Sequence, residues 1–88
     1  MGMNDFDRTW LVGVEVILED DVEEYHLVSS TREAALFLIE SWPARRGRAY
    51  ARALKACLDV IADEEGEEEA RTAFVAAVEE ARIDVRRH

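Results

Sequence analysis

Three kinds of side chain in this sequence have the types to do chemistry: an internal histidine, a cysteine, and a cluster of cations in an otherwise acidic chain. His26 would need at least two further convergent ligands to hold a metal. Glu24, two residues away and on the same strand face, is the nearest candidate, and His88 is terminal. A surface or interface histidine is the ordinary reading. Cys57 lies between Leu54 and Ile61, mid-way along an apolar helical face. A nucleophilic thiol needs a basic neighbour or a helix N-terminus to lower its pKa, so this position predicts a buried, inert thiol. Carboxylates are abundant, but the runs Glu19–Glu24 and Asp63–Glu69 fall at a strand turn and a helix end, where charge is solvated. Neither has the alternating oxygens around a central glycine that a calcium loop requires. The glycines Gly2, Gly13, Gly47 and Gly66 are scattered and make no phosphate-cradling loop. No catalytic residue, metal or cofactor is expected, and the chain does not read as an enzyme.

The cations are the more informative feature. Arg45, Arg46, Arg48, Arg52 and Lys55 place five of the 11 basic residues in a short stretch. On a helix, Arg48, Arg52 and Lys55 share one face and span about 10 Å. Three uses of such a face stay open: plain solvation, contact with an acidic protein surface, and contact with phosphates aided by Trp42 or Tyr50. Nucleic acid is the less favoured partner, because the net charge of −9 repels phosphate backbones and the wheel turns Tyr50 inward.

These residues must be positioned by a small set of elements. Trp10, Val12, Val14, Val16 and Leu18 alternate with Leu11, Gly13, Glu15 and Ile17, the period of a half-buried strand. After the acidic turn Glu19-Asp20-Asp21, residues Val22 to Val28 form a second strand, close enough for an antiparallel hairpin. Ser30-Thr31-Arg32-Glu33 is a capping box, in which Ser30 accepts from the amide of Glu33 and Glu33 reaches back to the amide of Ser30. It opens a helix from about Thr31 to Ser41, which ends because Trp42 precedes Pro43. A second helix starts within Ala44–Arg48 and runs to about Glu64, with Tyr50, Ala53, Leu54, Cys57, Leu58 and Ile61 inward. Gly66 stops it, and a third helix follows with Glu67, Glu68 and Glu69 on the positive end of its dipole. Ile83-Asp84-Val85 suits a short third strand. The predicted class is α+β, a hairpin packed on three helices in the order β-β-α-α-α(-β), with residues 1–8 flexible, 9–85 one domain and 86–88 a tail.

Composition sets bounds on this fold. With 88 residues there is one domain, near the lower limit for a self-sufficient core. Hydrophobic residues at 49% are incompatible with an intrinsically disordered chain. The single cysteine precludes an internal disulfide and suits a reducing, cytoplasmic setting. Met1–Asp7 lacks the apolar region of a signal peptide, and the apolar stretch Trp10–Leu18, interrupted by Glu15, is too short to span a membrane.

One ordered series of residues carries a family resemblance: Val28-Ser29-Ser30-Thr31-Arg32-Glu33-Ala34-Ala35, Trp42-Pro43, Arg46-Gly47, Ala53 to Cys57-Leu58, Ala70-Arg71 to Phe74, and Ala81-Arg82-Ile83. Over roughly residues 9 to 85 the chain resembles domain-of-unknown-function family 982, short bacterial proteins abundant in rhizobia and related alphaproteobacteria. The acidic tract Asp63–Glu69 departs from that pattern. The resemblance implies a stand-alone soluble bacterial protein and assigns no catalytic or binding residue.

Apolar residues left over after the core is drawn point to self-association. The inward face of the first helix is expected to be Ala35, Leu38, Ile39 and Trp42, which leaves Leu36 and Phe37 beside Glu33 and Glu40. The first strand keeps Leu11 and Ile17 on its second face. The expected function is therefore a non-catalytic binding or regulatory module acting through protein contacts, as a homodimer. Its expected contact residues are Arg45, Arg46, Arg48, Arg52, Lys55, Phe37 and Trp42. The alternative is a weak nucleic-acid binder through Arg45–Lys55, or an acidic nucleic-acid mimic.

Overall fold

A computed structural model of the chain describes residues 9–19, 23–63 and 66–87. Strands β1 (Thr9–Glu19) and β2 (Glu23–Ser30) are followed by helices α1 (Thr31–Glu40), α2 (Arg48–Asp63) and α3 (Glu67–Glu80), then by strand β3 (Asp84–Arg87). This is the expected α+β order. The third strand begins at Asp84 and continues through Arg87, past the boundary at residue 85, so Arg86 and Arg87 belong to the sheet. Residues 1–8 and the turn at Asp20-Asp21 lie outside the described residues.

The sheet order is β2-β1-β3, antiparallel throughout, with β1 central. The β1–β2 register runs from Glu19↔Glu23 to Val14↔Val28 and then shifts before Thr9↔Ser30. Trp10, Val14 and Val16 of β1 and Val28 of β2 face the core, while Leu27 faces out, as the period-2 pattern requires. Gly13 lies on the outer face at the shift; a Cβ there would meet Leu27 Cδ1 at 3.4 Å.

Because β2 enters α1 without a loop, Ser30 is still extended (φ −153°, ψ 161°) while its hydroxyl already accepts from the Glu33 amide at 3.1 Å. The return half of the capping box is different from the expected one. Glu33 Oε1 accepts from the amide and the hydroxyl of Ser29, at 2.8 and 3.0 Å, rather than from Ser30. The extended strand turns the amide of Ser29 toward the first turn of the helix.

The core joins one sheet face to all three helices. Thr31, the buried polar residue, accepts from Trp10 Nε1 at 3.1 Å. The Tyr50 hydroxyl donates to the Leu38 carbonyl at 2.6 Å and ties α2 to α1. Both bonds satisfy groups that would be costly to bury unpaired. At the end of α3, Arg82 adopts a left-handed φ of 60°. The Arg82 amide donates to Glu79 O at 3.0 Å and the Ile83 amide to Val78 O at 2.9 Å. This pair of bonds is a Schellman motif, and it turns the chain from α3 into β3. Gly66, also left-handed at φ 95°, serves as the N-cap of α3, its carbonyl accepting from Glu69 and Ala70.

Candidate functional site

The segment between α1 and α2 is held from several sides. Trp42 Nε1 and the Gly47 amide both donate to the Arg45 carbonyl, each at 3.1 Å. Glu80, from the end of α3, accepts from the Ala49 amide at 3.1 Å and so caps the first turn of α2. That bond satisfies a first-turn amide of α2 that has no partner within the helix.

Trp10, Phe74, Phe37, Trp42 and Tyr50 then form a chain of ring contacts, with successive centroids 5.9, 6.0, 6.0 and 5.2 Å apart. Phe37 is its hub, also meeting His26 at 5.5 Å. This corrects the expectation that Phe37 lies on the surface. Phe37 is buried, and Ile39, expected inward, is 51% exposed. The physical reason is that α1 packs on α3 as well as on β2 and α2, so its buried face is centred on Ala34 and Leu38 with Phe37 turned toward Phe74. Trp42 is half-buried within the same cluster.

At the outer end of the chain, the Arg46 guanidinium sits 5.4 Å from the Tyr50 ring centroid, in cation–π range. Arg46 and Lys55 flank an open groove of about 470 Å³, lined also by Tyr50, Ala51, Leu54, Leu58 and Asp59. Arg45, Arg48 and Arg52 are exposed but do not line it. Lys55 also pairs with Asp59 at 2.9 Å, both side chains well exposed; such a pair is readily exchanged for another partner. Leu58, expected inward, is 49% exposed in this groove. The α2 stripe of apolar residues is wider than the core it meets. The row Tyr50, Ala53, Cys57, Val60 is buried, and the row Leu54, Leu58, Ile61 is left at the rim. Val60 lies at the margin of the apolar stripe of α2, toward the polar face, so the wheel does not single it out.

The thiol of Cys57 is fully buried, and burial pushes it from 9.0 up to about 11. His26 presents its ring to Phe37, and the side chain of Glu24, its expected co-ligand, lies outside the described residues. Among the described residues no three His, Cys, Asp or Glu side chains are placed to hold a metal ion, and no helix is long and apolar enough to cross a membrane.

A family model described as "Protein of unknown function (DUF982)" matches residues 14–85. The chain belongs to this family. The DUF982 match takes in β1 from Val14 onward, the whole Trp42–Gly47 segment and both ends of the α2 groove. No curated protein and no solved structure matches the chain.

A second groove, of about 390 Å³, runs along the outer side of β2 in this DUF982 protein. It is lined by His26, Leu27 and Val28 of β2 and, on the α1 side, by Glu33, Leu36, Phe37, Glu40 and Ser41. Leu27 is 58% and Leu36 49% exposed. The surplus apolar surface thus exists, but it is carried by Leu27, Leu36, Ile39 and Leu58 rather than by Phe37 and Trp42.

Proposed function

We propose that this protein is a non-catalytic binding module whose α2 groove receives an acidic, amphipathic segment of a partner protein. The observation that carries this reading is the pairing of exposed Leu58 and half-buried Leu54 with the cations of Arg46 and Lys55 in one groove. Apolar side chains of a partner helix would cover the leucines, and its carboxylates would meet the cations, including Arg48 and Arg52 beyond the rim. A chain of net charge −9 that places five of its 11 basic residues in Arg45–Lys55 favours an acidic partner around this groove. Phosphate-backbone partners fit less well. Tyr50 has its ring under Arg46 and its hydroxyl spent on Leu38, and Trp42 is packed between Phe37 and Tyr50. Neither ring is free to stack on a base. The buried, high-pKa thiol supports a non-catalytic role and suits a cytoplasmic setting.

The test is selection of random peptides on the folded protein, followed by binding measurements with the enriched sequences. Enrichment of peptides with leucine or phenylalanine at helical spacing among Asp and Glu, with binding lost in Lys55→Glu/Leu58→Glu, is the expected result. Enrichment without acidic residues, binding indifferent to that double substitution, or tight binding of a single-stranded oligonucleotide instead, would remove the proposal.

A further inference from the structure

We infer that the outer edge of β2 is a self-association surface, on which a second copy of this chain pairs its own β2 antiparallel about a two-fold axis near Leu27. The two three-stranded sheets then become one six-stranded sheet. This inference is independent of the α2 groove, which lies on a different element.

Among the described residues the sheet order leaves β2 at an edge, and His26, Leu27 and Val28 line an open groove beside α1. An open edge of this kind is a template for strand addition. The identity of the added strand follows from the sequence of β2 itself, EEYHLVSS. With the axis on Leu27, position i of one copy lies opposite 54 − i of the other, so Leu27 meets Leu27, His26 meets Val28, and the glutamate at 24 meets Ser30. No like charges are opposed. A parallel pairing would set both glutamates against their own copies, at a cost.

The helix above the groove has the same self-complementarity. Arg32, Leu36 and Glu40 are exposed and recur every fourth residue on α1. An antiparallel approach of two α1 helices centred on Leu36 places leucine on leucine and Arg32 of each copy across from Glu40 of the other. Leu27 and Leu36, the two exposed leucines that line this groove, are thereby covered together by one symmetric contact. An unrelated extended peptide could use the edge of β2, but it would not account for the matching pattern on α1.

Sedimentation velocity of the full chain at high micromolar concentration is expected to give a species of two 10.0 kDa chains. Leu27→Glu and Leu36→Glu, both at exposed positions, should each raise the dimer Kd by about tenfold or more while the circular dichroism spectrum is unchanged. Leu27→Cys should form an intermolecular disulfide on mild oxidation, since residues opposed across an antiparallel pair have Cα atoms about 4.5–5.5 Å apart. Leu58→Cys, on α2, should not, and buried Cys57 does not compete. A monomer at these concentrations overturns the inference. So does a dimer that ignores both glutamate substitutions, or one that is cross-linked through position 58 and not through position 27.

Discussion

The carboxylate of Glu80, the last residue of α3, caps the N-terminus of α2 through the Ala49 amide, 3.1 Å away and 31 residues earlier in the chain. At α2 the positive end of the helix dipole welcomes that charge, whereas at the end of α3 it is unfavourable. Gly47 is what makes the approach feasible, since a Cβ there would lie 2.7 Å from Glu80 Oε1. Glu80→Ala should therefore destabilise the fold by about 1 kcal/mol, as loss of a helix cap does. Gly47→Ala should cost a similar amount by displacing the carboxylate, yet cost far less in the Glu80→Ala background. Thermal denaturation of the two single variants and the double variant measures that coupling. Additive effects would show that the glycine serves some other end.

A left-handed residue at the end of α3 offers the opposite kind of change. Arg82 holds φ 60° with the Schellman bonds in place around it. A non-glycine residue in this region is strained by its Cβ, by about 1–2 kcal/mol. Arg82→Gly relieves that strain and gives back part of it as added freedom of the unfolded chain. The expected net effect is stabilisation of roughly 0.5–1 kcal/mol, read as a higher denaturant midpoint with an unchanged slope.

Much of this architecture is legible in the sequence, and the failures have common causes. Element order follows from a period of two through Trp10–Leu18, from Ser30 and Glu33, and from Pro43 and Gly66, all local signals. Packing is not local. A wheel drawn for α1 alone misplaces Phe37, because it assumes a single partner surface and α3 supplies a second through Phe74. Leu58 is exposed and Val60 buried because the apolar stripe of α2 is broader than the core beneath it. The cap on Ala49 has no local trace, since its acceptor belongs to another helix; the one hint was a glycine at position 47 where a serine or aspartate would be the usual cap. The α2 groove is half legible: charge marks Arg46 and Lys55, but only the fold reveals that Leu54 and Leu58 share the groove with them.

The altered role of Phe37 is open to direct measurement. As hub of contacts to His26, Trp42 and Phe74, its truncation to alanine should cost about 3–5 kcal/mol. Leu36→Ala, one residue away and half-exposed, should change the stability of the monomer by less than about 1 kcal/mol. Near-equal effects in chemical denaturation at low protein concentration would contradict the burial described for α1.

Tyr50 joins the same core to the basic face, and its hydroxyl donates a short buried bond to Leu38 O. Tyr50→Phe removes the donor and leaves that carbonyl with less than its due, which costs about 1–3 kcal/mol. Because Arg46 stacks on the ring and not on the hydroxyl, the groove should survive in Tyr50→Phe. Peptides selected on the wild-type protein should still bind, and loss of their binding without unfolding would show that the hydroxyl shapes the groove.

Burial of Cys57 couples stability to alkaline pH. The thiol is raised from 9.0 to about 11 in the folded chain by desolvation of its charged form. A thiol with a raised folded pKa keeps its proton longer in the native state than in the unfolded one. Its contribution is thus fully present below pH 9.0 and is lost as pH rises toward about 11. Stability measured by urea titration should fall across that interval more steeply in the wild type than in Cys57→Ala, although the variant is less stable at neutral pH because of the cavity it leaves. Alkylation by iodoacetamide at neutral pH should be slow in the native protein and become fast only in denaturant. Rapid native-state labelling, or pH profiles that run parallel in the two proteins, would show that the thiol is reached by solvent and that the α2–α3 interior opens more readily than its packing implies.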